Sequence, residues 1–255
     1  MSSTTKDPET AAPLSRRENN VASRRKRILE SARTLLVENG QDGLSMRKMA
    51  REAGLSVTTL YNLVGSREDI LRALIEDSAE RIDSTVTVSE STGDPLDRTI
   101  EAFEKVLRYF VDEAAILKPM IVANMETGYV EELGKEEHGL YLSGAKESVR
   151  ESLMDALAEG QIRDVISPEF LEAQFYVGLQ LTIDRWAFGL VTEEDFVAKG
   201  LFGAYLTLLA VASPEHRPRI EEEIRKLEIQ LRHGTVSKAG RRTAKGHTAG
   251  QPEMH

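Results

Sequence analysis

Apolar residues recur at three- and four-residue spacing almost without interruption from Arg24 to Arg232, and no run of strict alternation is long enough to make a strand. A period near 3.6 places apolar side chains along one face of a helix, so the chain is predicted to be all-α. The β-branched stretch Thr85-Val86-Thr87-Val88 is too short and isolated to pair.

Capping residues and glycines divide this pattern into elements. A helix over 24–39 lines up Ile28, Leu29, Ala32, Leu35 and Leu36, and Gly40 stops it. Ser45 opens a short helix, 46–53, with Met46, Met49 and Ala50 inward, and Gly54 breaks it. Ser56 opens a third helix of two turns, with Leu60 and Leu63 or Val64 inward, ended by Gly65. Ser66 with Asp69 is a capping box for a fourth helix, 67–83, whose apolar face is Ile70, Leu74, Ile75 and Ile82. After a loop over 87–93, Asp94-Pro95 starts the next helix with proline at its first position. Pro119 interrupts a segment over 116–125, and Gly160 closes a helix over 140–159. Ser167-Pro168 opens a long helix to 188, and Thr192 with Asp195 caps another to 211. A charged helix over 220–232 comes last.

The net charge of −9 speaks weakly against a nucleic-acid partner until it is mapped along the chain. Residues 15–72 hold 12 Lys/Arg against 7 Asp/Glu, whereas residues 73–231 hold 15 against 32. Phosphates would attract the first block and repel the second. The same asymmetry also arises from unrelated solvated faces. The segments 1–20 and 232–255 have little to bury and are expected to be disordered, the second a basic flexible tail offering nonspecific nucleic-acid contact or nothing. Between them lie two expected domains, 21–72 and 73–231. The absence of cysteine excludes disulfides and thiolate metal sites and suits a cytoplasmic chain. No run of 18 apolar residues exists, so no membrane span is expected, and the polar N-terminus is not a signal peptide.

The stretch from Leu44 to Leu71 joins two short helices through a tight turn at Gly54, which is the grammar of a helix-turn-helix. Ala50 is small enough for the two helices to cross closely. Val57, Thr58, Thr59, Tyr61 and Asn62 point outward from the second helix and are short or amphipathic, as a groove requires. Tyr61 has an alternative place, packed on the first helix with its hydroxyl wet. Arg16-Arg17 and Arg24-Arg25-Lys26-Arg27 precede the first helix, where they can follow phosphates or simply solubilise the chain.

Over residues 24–83 this stretch resembles the DNA-binding signature of the TetR family, Thr/Ser-hydrophobic-Arg-x-hydrophobic-Ala-x-x-Ala-Gly-Val-Ser-x-x-x-Leu-Tyr-x-x-Phe-x-x-Lys-Glu-x-Leu. The resemblance implies a three-helix DNA-binding domain followed by a helical effector-binding and dimerisation domain. It places Ser45 and Arg47 near the backbone or an adjacent base, and Thr59 and Tyr61 on phosphates. Val57, Thr58 and Asn62 would read base edges. Arg67 stands where a phosphate-contacting Lys is usual, helped by the helix dipole. Val64 replaces the usual aromatic, implying a smaller core plug. Leu63 replaces a frequent His or Tyr, removing one backbone contact.

The segments 167–188 and 193–211 are apolar nearly all round, so each needs cover on every side. Two such helices from each of two chains satisfy this need in a four-helix interface, an arrangement that the resemblance also implies. Trp186, Leu201, Tyr205 and Leu208 are the expected interface residues, with Gly178, Gly189, Gly200, Gly203 and Ala204 allowing close approach. Phe103, Leu107, Phe110, Met120, Met125, Val149, Leu153, Phe175 and Leu179 are the expected lining of an effector pocket, although side chains of these types at helical spacing also make ordinary core.

The reading is therefore a ligand-responsive repressor that binds a palindromic operator as a homodimer and is released by a small apolar effector. Its partners are double-stranded DNA, that effector and a second copy, with no membrane, metal or cofactor. A helical interaction scaffold would explain the apolar helices but not the motif from Ser45 to Asp69, and an activator would share the fold. No catalytic constellation is present: there is no His-Glu-x-x-His pair, Gly-rich phosphate loop or Gly-x-Ser-x-Gly elbow. Glu131-Glu132 with Glu136-Glu137-His138 reads as a solvated acidic loop, so no enzyme is expected.

Overall fold

The computed structural model describes residues 16–87, 93–126 and 143–245, and the expectations for 1–15, 88–92, the acidic stretch within 127–142, and 246–255 lie outside them. Among the described residues there are ten α-helices, no strand, and one isolated antiparallel bridge between Ile162 and Ala212. In order they are α1 (Arg16–Asn39), α2 (Met46–Glu52), α3 (Val57–Val64), α4 (Arg67–Thr87) and α5 (Pro95–Asp112), then α6 (Ala114–Glu126), α7 (Ser143–Ala158), α8 (Pro168–Ala187), α9 (Glu193–Val211) and α10 (Arg217–Lys245). The chain divides into two compact units, Met1–Ala73 and Leu74–His255, so the division falls within α4.

In the first unit α1, α2 and α3 pack on one another. Ile28, Ala32 and Leu36 of α1 meet a core that also holds Leu44, Met49, Leu60 and Ile70, all buried. Val64 is buried in the place where the resemblance expects an aromatic, and Leu63 is half-buried. A 3-10 turn, Gly40–Gly43, brings the chain back against α1. A β-carbon at Gly43 would overlap the Leu35 carbonyl, which is backbone and cannot swing aside. Gly43→Ala is expected to cost about 1–3 kcal/mol, as overpacking does. It would be read as a lower urea midpoint at unchanged slope, and an unmoved midpoint would show that the turn yields freely.

In the second unit α5 presents Leu96, Ile100, Phe103, Val106, Leu107 and Phe110 on one buried stripe. α9 packs against α5, α8 and α10, and α7 against α5 and α8. Rings knit these helices together. Phe110 lies edge-on to Trp186 at 6.1 Å, Trp186 stacks on Phe196 at 4.8 Å, and Phe103 meets Phe175 at 5.7 Å. The helix ends are tied by polar contacts. Asp94 caps α5 by accepting from Leu96 N and Asp97 N, Gln161 Nε2 donates to Asp94 at 3.1 Å, and Arg219 of α10 pairs with Asp97 at 2.8 Å.

Three expectations about elements are corrected. α1 begins at Arg16, so the basic cluster lies within the helix rather than ahead of it. Arg, Glu and Ala have good helix propensity, and low apolar content alone does not break a helix already started. α6 is continuous through Pro119, which sits early enough that its missing N–H removes one bond near the helix start. α10 runs on to Lys245, where a flexible tail was expected from 232.

Candidate nucleic-acid interface

α2 ends at a turn built by Gly54, whose φ of 67° is left-handed. Gly54 N donates to Arg51 O and Leu55 N to Ala50 O at 2.8 Å, which reverses the chain within four residues. Ala50 is buried where α2 and α3 cross. Ser56 then caps α3, its Oγ accepting from Thr59 N at 3.1 Å. Inward, α3 buries Leu60 and Val64.

The outward side of α3 decides what the motif can do. Val57 is 37% exposed and Tyr61 50%, and Thr58 and Asn62 are exposed too. Neither Thr58, Tyr61 nor Asn62 makes a side-chain hydrogen bond among the described residues, so their polar groups remain available. Thr59 differs: it is half-buried and its hydroxyl is engaged with Ser56 Oγ at 2.7 Å, so its first role is in the cap. Ser45 stands at the start of α2 in extended conformation, half-buried, with a hydroxyl that makes no cap bond. Arg47 is exposed and Arg67 half-exposed at the first turn of α4.

The start of α4 is fixed by a reciprocal cap. Ser66 N and Oγ donate to Asp69 Oδ2 at 2.8 and 2.9 Å, and Asp69 N donates back to Ser66 Oγ at 3.2 Å. These bonds hold the Asp69 carboxyl below the usual carboxylate range, so it is ionised near neutral pH. Gly65 joins α3 to this cap with φ of 80°, and any β-carbon there would overlap Asp69. The sequence marks Gly65 as a helix end but carries no local sign of that second constraint.

Charge is partnered differently in the two units. In the second, most cations meet an acid: Arg81–Asp77 at 2.9 Å, Lys118–Glu193 at 3.0 Å, Arg150–Glu172 at 2.7 Å and Lys226–Glu223 at 2.8 Å are examples. In the first, Arg24, Arg25, Lys26, Arg27, Arg47 and Arg51 are exposed and have no ion pair among the described residues.

Of the expected effector lining, most residues are buried between the helices of the second unit. Phe103, Leu107, Phe110, Met120, Val149, Leu153 and Phe175 are buried in the packed core, and Met125 is half-buried near the end of α6. Only Leu179 of that set borders the groove of about 820 Å³ that opens along α7 and α8. Tyr176 also lines it. Its hydroxyl is buried without a hydrogen-bond partner among the described residues, and burial pushes its pKa well up. Lys146 Nζ lies 5.3 Å from the Tyr176 ring centre.

The expected dimer residues need correction. Trp186 and Leu208 are closed inside the chain, stacked or packed on its own core, and cannot touch a second copy. Leu201 and Tyr205 are half-buried. Gly200 is small because Leu107 of the same chain lies against it. Apolar surface is left open on another arc of α8, where Phe170 is 73% exposed, Val177 65% and Leu181 64%. Among the described residues no helix is long and apolar enough to cross a membrane, and no cluster of three or more His, Asp or Glu is placed to hold a metal.

Comparisons with known proteins agree with this geometry. Residues 28–74 match the model of the bacterial regulatory proteins of the tetR family. The HTH-type transcriptional regulators Rv1816 of Mycobacterium tuberculosis and Mb1846 of Mycobacterium bovis are each 34% identical over 74 residues, covering 27% of this chain. The match spans 32% of the length of each of these relatives. A TetR transcription regulator of Haloarcula marismortui shares the fold with a TM-score of 0.62 at 17% identity, over 75% of this chain and 100% of its own. SmeT, the repressor of the Stenotrophomonas maltophilia multidrug efflux pump SmeDEF, does so at 0.54 and 14% identity, over 74% of this chain and 91% of its own. Residues 28–74 thus form a helix-turn-helix segment of the tetR type, carried on a chain that shares the all-helical fold of these regulators.

Proposed function

We propose that the chain is a DNA-binding transcriptional regulator, a repressor that binds a palindromic operator as a homodimer and is released by a small effector. The observation that carries this reading is the α3 surface: Thr58, Tyr61 and Asn62 are exposed with uncommitted polar groups. They project from a short, capped helix in a unit where Arg24, Arg25, Lys26, Arg27, Arg47 and Arg51 have no ion pair among the described residues. Phosphate contacts position such a module and side chains at base edges give it sequence preference. In this reading Val57 and Thr58 meet thymine methyls, Asn62 an adenine edge, and Tyr61, Ser45, Arg47 and Arg67 the backbone. Thr59 serves first by holding the start of α3.

The dimer forms through the open face of α8 with Phe170, Val177 and Leu181, joined by Leu206 of α9, which is also exposed. A two-fold pair of reading heads then meets half-sites about 34 Å apart. The groove along α7 and α8 is bordered on its outer side by the same Phe170, Val177 and Leu181, so the second copy closes that side while the effector reaches the inner part, where Tyr176 offers a buried hydroxyl to one polar group. It acts as a population shift, favouring a state in which the two α3 helices no longer fit successive grooves. α4 carries the change because it belongs to both units of the chain.

The test is a mobility shift with the DNA upstream of the protein's own gene and a scrambled duplex of equal length. Retarded upstream DNA that resists the scrambled competitor supports the reading. Equal binding to both, or none, removes it.

A further inference from the structure

Outside the α7–α8 groove and the open arc of α8, which the proposed function already uses, the first turns of α1 concentrate the most unpaired charge among the described residues. Among the described side chains of α1 the first buried one is Ile28, and every residue from Asn20 to Arg27 is exposed. The helix therefore extends at least two turns beyond the core it serves. Arg24, Arg25, Lys26 and Arg27 follow one another at 100° steps and so surround the helix rather than forming one face. None has an ion pair among the described residues.

Such an extension is unfavourable in water by itself. Short isolated helices are marginal, and like charges three residues apart oppose the helix further. The chain solves the same problem differently over residues 217–232 of α10, where four cations are set against an acid one turn away: Arg217–Glu221, Arg225–Glu222, Lys226–Glu223 and Arg232–Glu228. A solubilising helix of this protein thus looks like α10. In α1 the acid one turn beyond the cluster, Glu30, makes no ion pair with Lys26 or Arg27 among the described residues, so the counter-charge of the four cations comes from outside. Val21 and Ala22 are the only apolar side chains between Asn20 and Arg27, too few to seat the helix in a lipid surface.

We infer that the basic extension of α1 is a second nucleic-acid contact, in which Arg24, Arg25, Lys26 and Arg27 bind the phosphates of duplex DNA outside the segment read by α3. The inference rests on the DNA-binding reading above. Contacts of this kind hold the backbone and ignore the bases, because four charges around a helix axis cannot all face one groove floor. They add affinity at every sequence and lengthen the site without altering its preference. Each phosphate neutralised adds about 0.9 to the slope of log affinity against log salt.

The test compares the full chain with the variant Arg24→Gln, Arg25→Gln, Lys26→Gln, Arg27→Gln, since glutamine keeps helix propensity while removing charge. Binding to a random-sequence 40-base-pair duplex is measured across a salt series. The slope is expected to flatten by about 3, corresponding to three or four lost contacts. The all-lysine variant of the three arginines should restore it, and thermal unfolding should stay where it was. An unchanged slope in a chain that otherwise binds DNA overturns the inference and leaves the α3 reading intact. If the unaltered chain binds no duplex at any salt, both fall. Tighter binding to anionic phospholipid vesicles than to the duplex, lost in the glutamine variant, would reassign the extension to a membrane and overturn it as well.

Discussion

Replacing Thr58 and Asn62 together by alanine is expected to lower affinity for the chain's own operator about a hundredfold while leaving binding to unrelated duplex nearly unchanged, since a good base-edge contact discriminates by about 1–3 kcal/mol. Both side chains are exposed one turn apart on α3 and make no contact the fold requires. Their loss should shift stability by no more than about 0.5 kcal/mol, as at other surface sites. The phosphate contacts, made elsewhere on the unit, would survive and keep nonspecific binding. Leu60→Ala supplies the contrast. Leu60 is fully buried on the opposite side of the same helix, and its truncation should cost about 2–5 kcal/mol and lower all binding through unfolding. Operator affinity unaltered in the double variant would mean that α3 does not read the bases.

How far the sequence discloses this arrangement depends on the range of the interaction concerned. The caps were legible because their chemistry is local. Ser56, the pair Ser66 and Asp69, and Thr192 each act within three residues, and each makes the expected bond. The turn at Gly54 was legible for the same reason. Gly43 was not, because the atom it must avoid belongs to Leu35, a turn of helix and a reversal away. α8 and α9 show the sharper limit. When a helix is apolar on every side, its period no longer says which arc meets the chain's own core and which stays open. That ambiguous pattern points Trp186 and Leu208 outward, yet the ring cluster with Phe110 and Phe196 takes Trp186 inward. The open arc did leave a trace in the spacing of Phe170, Val177 and Leu181, which recurs after seven and then four residues, but that trace is interpretable only once the covered residues are known.

Introducing carboxylates on that arc, Val177→Glu with Leu181→Glu, is expected to convert the chain from dimer to monomer at micromolar concentration, as read by sedimentation velocity. The two side chains lie one turn apart on α8, and both are largely solvent-exposed in the single chain. A monomer tolerates such changes. An interface does not, because an unpaired buried charge costs several kcal/mol. Operator affinity should fall at least about a hundredfold with the loss of linked half-sites, whereas a single half-site should bind as before. Gly178 separates the possibilities further. It sits in mid-helix, where glycine costs about 1 kcal/mol against alanine, and nothing in its own chain lies within 4 Å of where a β-carbon would be. For an isolated chain Gly178→Ala should therefore stabilise. If a second copy approaches α8 closely at this point, Gly178→Leu should weaken the dimer while raising the thermal stability of the V177E/L181E monomer into which it is introduced. Dimers that persist through all these changes would place the interface elsewhere and leave the glycine without a reason.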